Sequence, residues 1–389
     1  MNSPLSRRQI IKGLGAVGCC AAASPLVTPV TVAAAPGENR LVVIILRGAM
    51  DGLDVVQPYG DANFTKLRPS LAKLPGEGTQ DLDGRFAMHD GLSHLSPLWN
   101  GGELAFAHAV STPYRDKRSH FDGQDILEAG IAHVGQARDG WVNRALSHMP
   151  GARADTALSI GRETMVLLSG ANDTMSWAPG EQVIFEEDER GLLDLIYRDD
   201  PLFAEAAREA FALSMDSGGE RAKGKRAAAV RAEYAAKRLR EEARIAAFSI
   251  GGWDSHVNQK GALRGPLGQL SLAVETLKTG LGPEWSRTLV IAMTEFGRTA
   301  RENGTRGTDH GTGGAALMAG GALRGGKVYG DWPGVRERDL YQNRDLMPTR
   351  DVRHYPAWAL AGLFGVQRTA LERDVFPGLD MGAGERFLL

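Results

Sequence analysis

Two short stretches set an acid close to a histidine among glycines: "GGWDSH", with Asp254 and His256, and "RGTDHGTGG", with Asp309 and His310. A third, "TEFGR", carries Glu295 and Arg298, and a fourth, "LRGAMDG", carries Asp51. Carboxylates gathered without a cation raise one another's pKa and resist joint ionisation, and a divalent ion removes that cost. Imidazole mixed with carboxylate oxygen suits zinc, manganese or iron, whereas an all-oxygen set suits magnesium or calcium. The expected ligands of such an ion, zinc or manganese first, are Asp51, Asp254, His256, Asp309 and His310. Glu295 is either a further ligand or the partner of Arg298. Any one pair alone reads more readily as a polar turn than as a ligand pair, because Asp and Gly both favour turns. The repetition of the pattern is what points to a site.

"RSHFDGQD" supplies the second kind of chemistry. Ser119 precedes a helix expected to start near Phe121, where free N–H groups favour either a capping oxygen or an anion. It is a candidate nucleophile activated by a metal, and on position alone it is a helix cap. His120 and Asp122 are further candidates for the site. Thr112 in "STPYRDKR" is the competing hydroxyl. Arg115, Lys117, Arg118 and Arg298 have the chemistry to hold an anionic substrate, although a solvated basic loop accounts for the first three.

Something must bring these groups together. Leu41–Leu46 is an unbroken apolar run rich in branched residues, as expected of a strand buried on both faces in a parallel sheet. Ile245–Ile250 and Leu289–Met293 repeat the pattern, and Ala315–Gly321 is a weaker fourth strand. Asp51, Asp254 and Glu295 each follow such a strand within a few residues. In open α/β sheets the ligand site lies beyond the carboxyl ends of the strands. Gly251, Gly252, Gly307 and Gly311 would let the backbone turn tightly enough there to aim neighbouring side chains at one point.

Apolar residues at helical spacing mark "FDGQDILEAGI", "DGWVNRALSHM", "DPLFAEAAREAFALSM" and "RAAAVRAEYAAKRLREEARIAAF" as helices, with "SMDSGGERAKGKR" as a loop between the last two. "RDVRHYPAWALAGLFGV" reads as a final covering helix. Strands alternating with helices give an α/β fold: a three-layer sandwich with a mostly parallel central sheet.

The first 35 residues stand apart. "SRRQIIK" leads into the Gly/Ala-rich "GLGAVGCCAAASPLV", and "TVAAAPG" offers small residues at −3 and −1 of a cleavage point after Ala35. This order is that of an export signal, and Arg7-Arg8 resembles the twin-arginine type. Residues 1–35 are thus expected to be a signal peptide and 36–389 a single α/β domain, periplasmic or secreted, with the twin-arginine translocase as partner during export. Both cysteines, Cys19 and Cys20, lie in the signal, so the remainder has no thiol ligand, disulfide or cysteine nucleophile. Lipidation at Cys19 is a minor alternative. Charged residues make up 24% and the formal charge is −2, falling to about −5 without Arg7, Arg8 and Lys12, which gives no basic surface for nucleic acid. No later stretch approaches the roughly 18 apolar residues of a membrane span.

Together, "LRGAMDGLDVVQPYGD", "SHFDGQD", "GGWDSH", "TEFGRTARENGTRGTDHGTGG" and "GGKVYGDWPG" resemble the signature of the exported bacterial family known as domain of unknown function 1501. The resemblance spans nearly the whole chain after the signal. That family is similar to the alkaline phosphatase and sulfatase superfamily, which implies an alkaline-phosphatase-like fold and a two-metal hydrolytic centre. On that resemblance Asp51 is the first-strand ligand and Ser119 the nucleophile. Asp254 and His256 serve one metal, Asp309 and His310 the other. The chain departs from the pattern in the single residue between Asp254 and His256, and in offering only His354, within an expected helix, as a last histidine.

Two functions remain in view. One is an exported metal-dependent hydrolase of phosphate or sulfate esters, acting on an anionic small molecule or glycan. The other is a non-catalytic periplasmic protein that retains the fold and binds a ligand or partner, since fold alone does not decide.

Overall fold

The computed structural model describes residues 37–76, 79–178, 224, 226–384 and 386–389. The expected signal, the helix at 200–215 and nearly all of the loop after it lie outside the described residues. Among those described, nine strands form the main sheet: β1 Arg40–Leu46, β2 Leu104–Ser111, β3 Ala157–Ile160, β4 Met175–Trp177, β5 Ile245–Ile250, β6 Thr288–Met293, β7 Gly314–Ala319, β8 Lys327–Tyr329 and β9 Arg350–Asp351. Their order is β8-β2-β7-β6-β1-β5-β3-β4, with β9 also pairing β2. Every pairing is parallel except those of β7, which is antiparallel to both β2 and β6.

The physics of β1 explains the layers. Its side chains alternate between faces, and both faces are buried. Val42, Ile44 and Leu46 join one core, while Leu41, Val43 and Ile45 join the other. Burying each such side chain is worth about 1.5–3 kcal/mol, so a strand without a polar face is stable only between two helical layers. The first layer is α3 Arg226–Arg240 and α4 Arg264–Leu281, which present Ala232, Leu239, Leu267, Leu270 and Val274. The second contains α1 His120–Ala129, α2 Trp141–Leu146 and α5 His354–Phe364, with Leu127, Trp141 and Tyr355 in the core. A separate small sheet of Val56–Gln57, Gln80–Asp81 and Ala87–Met88 adds Val56 and Met88 to the first core.

The direction of β7 matters for the site. Parallel β1, β5 and β6 end at Leu46, Ile250 and Met293, and antiparallel β7 begins at the same edge. Residues 47–51, 251–256, 294–298 and 309–313 are therefore neighbours. β2, running with β1, ends there too and leads through residues 112–119 into α1.

Candidate metal centre

The loops after β5 and before β7 interlock through the backbone. Thr308 N–H donates to Ser255 O, Thr299 N–H to Asp309 O, and Gly311 N–H to Gly297 O, at 2.8–3.1 Å. Glycine is required at two of these crossings. A Cβ at Gly307 would stand 2.1 Å from His256 O, and one at Gly311 would stand 2.4 Å from the Arg298 carbonyl carbon. Turn and ligand presentation are thus one construction.

Three histidines turn their Nε2 atoms toward Asp254. His256 Nε2 lies 2.9 Å from Asp254 Oδ1, His310 Nε2 lies 3.2 Å from the same oxygen, and His120 Nε2 lies 3.5 Å from Oδ2. His256 and His310 bring their Nε2 atoms within 3.0 Å of each other. His120, Asp254 and His310 each offer a donor atom, all within 4.8 Å of one another, a grouping that can hold a metal ion. His120 Nε2 is buried and has no hydrogen-bond partner. An unsatisfied buried ring nitrogen is costly, and a cation at this point would satisfy it.

The opposite ring nitrogens are all held by acceptors. His120 Nδ1 lies 2.8 Å from Glu295 Oε1, His256 Nδ1 lies 3.1 Å from Asp309 Oδ1, and His310 Nδ1 lies 3.1 Å from the Arg118 carbonyl. Each acceptor fixes its Nδ1 as the donor and leaves Nε2 with a lone pair in the neutral ring. This is the outer-shell arrangement that orients metal-bound histidines. Phe296 stacks on His120 at 5.2 Å between centroids and packs tilted against His310, which further limits ring rotation.

The charges fit a divalent ion. Asp254, Glu295 and Asp309 against Arg298 leave two negative charges with neutral imidazoles. Burial opposes ionisation of Asp254, but hydrogen bonding and charge from Arg298 outweigh it and hold the carboxyl below the usual carboxylate range. Glu295 is also shifted downward, burial being overcome by His120, Gln124 and backbone N–H groups. His120 is pulled upward, chiefly by Glu295, whereas burial pushes His310 down. Imidazole donors mixed with a carboxylate suit zinc, manganese or iron better than magnesium or calcium.

Several expected roles differ in the structure. Asp309 and Glu295 orient histidines from behind rather than joining the convergent donors. Asp51 does not meet the cluster. It caps the turn Gly52–Val55 through Leu53 N–H and forms a buried ion pair with Arg68 at 2.7 Å, with Gln259 donating to the same oxygen. A carboxylate so neutralised does not need a second cation, and among the described residues one group of donors converges where the resemblance implies two metals.

Arg298 is buried and committed: it donates to the carbonyls of Gly48, Ala49, Trp253 and Thr308 and to Asp254 Oδ1 at 2.5 Å. It positions Asp254 and has no free face for substrate. Thr112 is buried and its hydroxyl donates to Glu295 O, and Ser119 caps α1 by accepting from Asp122 N–H at 3.4 Å. Asp122 accepts from the Tyr114 hydroxyl, and Arg115 is held by the Thr112 and Tyr114 carbonyls. His354 opens α5 beside Arg350, apart from the cluster, and burial drives its pKa down to about 4. Lys117 donates its backbone N–H to Arg115 O at 2.9 Å, and its side chain has no hydrogen bond or ion pair among the described residues.

Sequence reasoning missed Gln124, one helical turn after His120, which donates to Glu295 Oε1 at 3.2 Å and to which Arg47 donates at 2.7 Å. The i, i+4 spacing was the available signal. It also missed Arg68 and Gln259, for which no local pattern exists.

No curated protein matches the chain significantly. Among solved structures, an alkaline phosphatase superfamily protein from Vibrio parahaemolyticus is similar at 12% identity and a TM-score of 0.38, over 84% of this chain and 67% of that one. A TAB5 alkaline phosphatase mutant with Mg bound is similar at 12% identity and 0.36, over 72% and 90%. The C-terminal periplasmic domain of EcEptC from Escherichia coli, in complex with Zn, is similar at 8% identity and 0.35, over 73% of each. Likenesses this distant carry no argument about chemistry. The family described as protein of unknown function DUF1501 matches residues 76–356, and the chain belongs to that family.

Proposed function

We propose that the chain is a metal-dependent hydrolase of phosphate or sulfate esters with one divalent ion, exported by the twin-arginine route. The observation that carries this reading is the convergence of three Nε2 atoms on Asp254, each ring anchored through Nδ1. His120, Asp254 and His310 would hold the ion, and three protein ligands are the number that catalytic sites of this kind use. A bound divalent ion would polarise an ester oxygen as a Lewis acid and stabilise the charge that develops on it.

The remaining roles fall to this chain's own groups. His256 is the most exposed of the three imidazoles, and Asp309 holds its Nδ1–H. That pairing suits a general base: Nε2 takes a proton from water, and Asp309 stabilises the resulting imidazolium. With Thr112 and Ser119 committed elsewhere, the attacking oxygen comes from water rather than from a side chain. Arg118 is the cation of the loop assigned to the substrate. Its Nε is buried without a partner, and its Nη2 stands 3.6 Å from Asp345, a contact loose enough to yield to an ester anion.

The commitment of both hydroxyls is also what favours the second reading, a binding protein without turnover. A panel of aryl phosphates and aryl sulfates on the metal-loaded protein separates the two. The hydrolase reading expects turnover in wild type, and a loss of about 100-fold or more in His256→Ala at unchanged metal content. No turnover of any ester by metal-loaded wild type, or full turnover by His256→Ala, would overturn it.

A further inference from the structure

A cavity of about 490 Å³, lined by no residue of the metal centre, lies between α4 and the short helical turn Asp90–Leu95. Arg264, Gly268, Ser271 and Glu275 line it from one face of α4, and His89, Asp90 and His94 line it opposite. Gly91 sets the closeness of these walls, because a Cβ there would meet Leu267 at 2.9 Å.

The charges within it are unevenly matched. Asp90 is neutralised by Lys73 at 2.7 Å and faces His89 at 2.8 Å, and Glu275 lies 3.8 Å from His94. The side chains of Lys260 and Arg264, which complete the rim, have no ion pair or hydrogen bond among the described residues. A second observation lies deeper. The Ser271 side chain lines the cavity, the residue is 2% exposed, and its Oγ has no hydrogen-bond partner. A buried hydroxyl left without a partner costs free energy that a ligand oxygen would recover.

We propose that this cavity is a second binding site, for a small polar molecule carrying a phosphate or sulfate group. Lys260 and Arg264 take the oxyanion, Arg264 through two N–H groups. Ser271 Oγ hydrogen-bonds the ligand's polar body. The volume exceeds that of a lone oxyanion and accommodates a body of about monosaccharide size. The site is independent of the metal-centre reading, since no lining residue belongs to that centre.

Calorimetric titration of the full chain after dialysis against chelator tests this, with glucose 6-phosphate, inorganic phosphate and glucose as probes. Saturable binding of glucose 6-phosphate is expected, with none for glucose. Binding of inorganic phosphate with equal affinity would assign the site to the free ion, and tighter binding of the sugar phosphate would assign it to esters. The doubly substituted Lys260→Ala, Arg264→Ala chain, checked for an intact fold by circular dichroism, should weaken binding at least tenfold, whereas Asp254→Asn should leave it unchanged. Absence of saturable binding, equal binding of glucose, or undiminished binding in the folded double variant would overturn the proposal.

Discussion

Replacing Glu295 with glutamine removes one charge from behind His120 and little else. Glu295 is fully buried, and its Oε1 accepts from His120 Nδ1, Gln124 Nε2 and Gly48 N at 2.8, 3.2 and 2.9 Å. Oε2 lies 2.9 Å from Thr294 Oγ1, a hydroxyl that also reaches Leu46 O at 2.8 Å. A glutamine carbonyl in the Oε1 position keeps all three donors, and its NH₂ can donate to Thr294 Oγ1 while that hydroxyl turns to Leu46. The shape and the hydrogen bonds survive, so the loss is confined to charge. Outer-shell partners of this kind contribute roughly 10- to 100-fold in metal affinity, or about 1.4–2.7 kcal/mol. Competition of metal-free protein against a chromophoric chelator for zinc reads this directly, with circular dichroism as the check on folding. A folded Glu295→Gln protein with wild-type zinc affinity would refute the claim that Glu295 acts through His120 on a metal.

Arg118→Ala should raise KM for anionic esters about tenfold while leaving kcat within a few-fold, as expected for loss of ground-state and transition-state binding alike; equal losses in kcat and kcat/KM would place Arg118 elsewhere in the reaction. His108 supplies a pH prediction away from the centre. It is buried, with Nε2 2.9 Å from Val56 O and Nδ1 accepting from Ala109 N, and burial drives its pKa down to about 4. A folded pKa below the unfolded value of about 6.5 adds stability that is complete above that value and is lost as pH falls toward 4. Between pH 7 and pH 5 the loss is about 2 kcal/mol. Urea unfolding of metal-free protein should show this slope, and His108→Gln should reduce it by that amount; an unchanged slope would count against it. Replacing Arg7-Arg8 with Lys-Lys should retain the protein in the cytoplasm on cell fractionation, whereas unaltered export would remove the twin-arginine assignment.

The parts of this molecule that were legible in the sequence are those whose cause is local. β1, β5 and β6 announce themselves because strands buried on both faces need continuous apolar residues, and the glycines at 307 and 311 announce crossings where no Cβ fits. β2 was not visible: "LAFAHAVS" alternates alanine with larger residues and carries His108, and alanine has little strand preference. Its place beside β7 comes from long-range packing. α4 was missed too, because Gly265, Pro266 and Gly268 weaken its first turns, and its stability comes from Leu267, Leu270, Val274 and Leu277 in the core.

The site shows the same division. The acids and histidines of the strand-end loops could be picked out one by one. Which of them is placed to hold a metal and which faces only an imidazole depends on side-chain direction across the sheet edge, and spacing along the chain does not encode that. Asp51 is the sharpest case. Its position after β1 matches that of a ligand, yet Arg68, 17 residues away along the chain, neutralises it in the core.

The measurement closest to the central claim is the metal content of the purified protein, by elemental mass spectrometry after loading with zinc or manganese and removal of excess. One ion per chain is expected in wild type, falling to well below one in His310→Ala and in Asp254→Asn, and remaining near one in His256→Ala. A wild-type protein that neither retains nor rebinds a divalent ion, or a His310→Ala protein that keeps a full complement, would contradict the account.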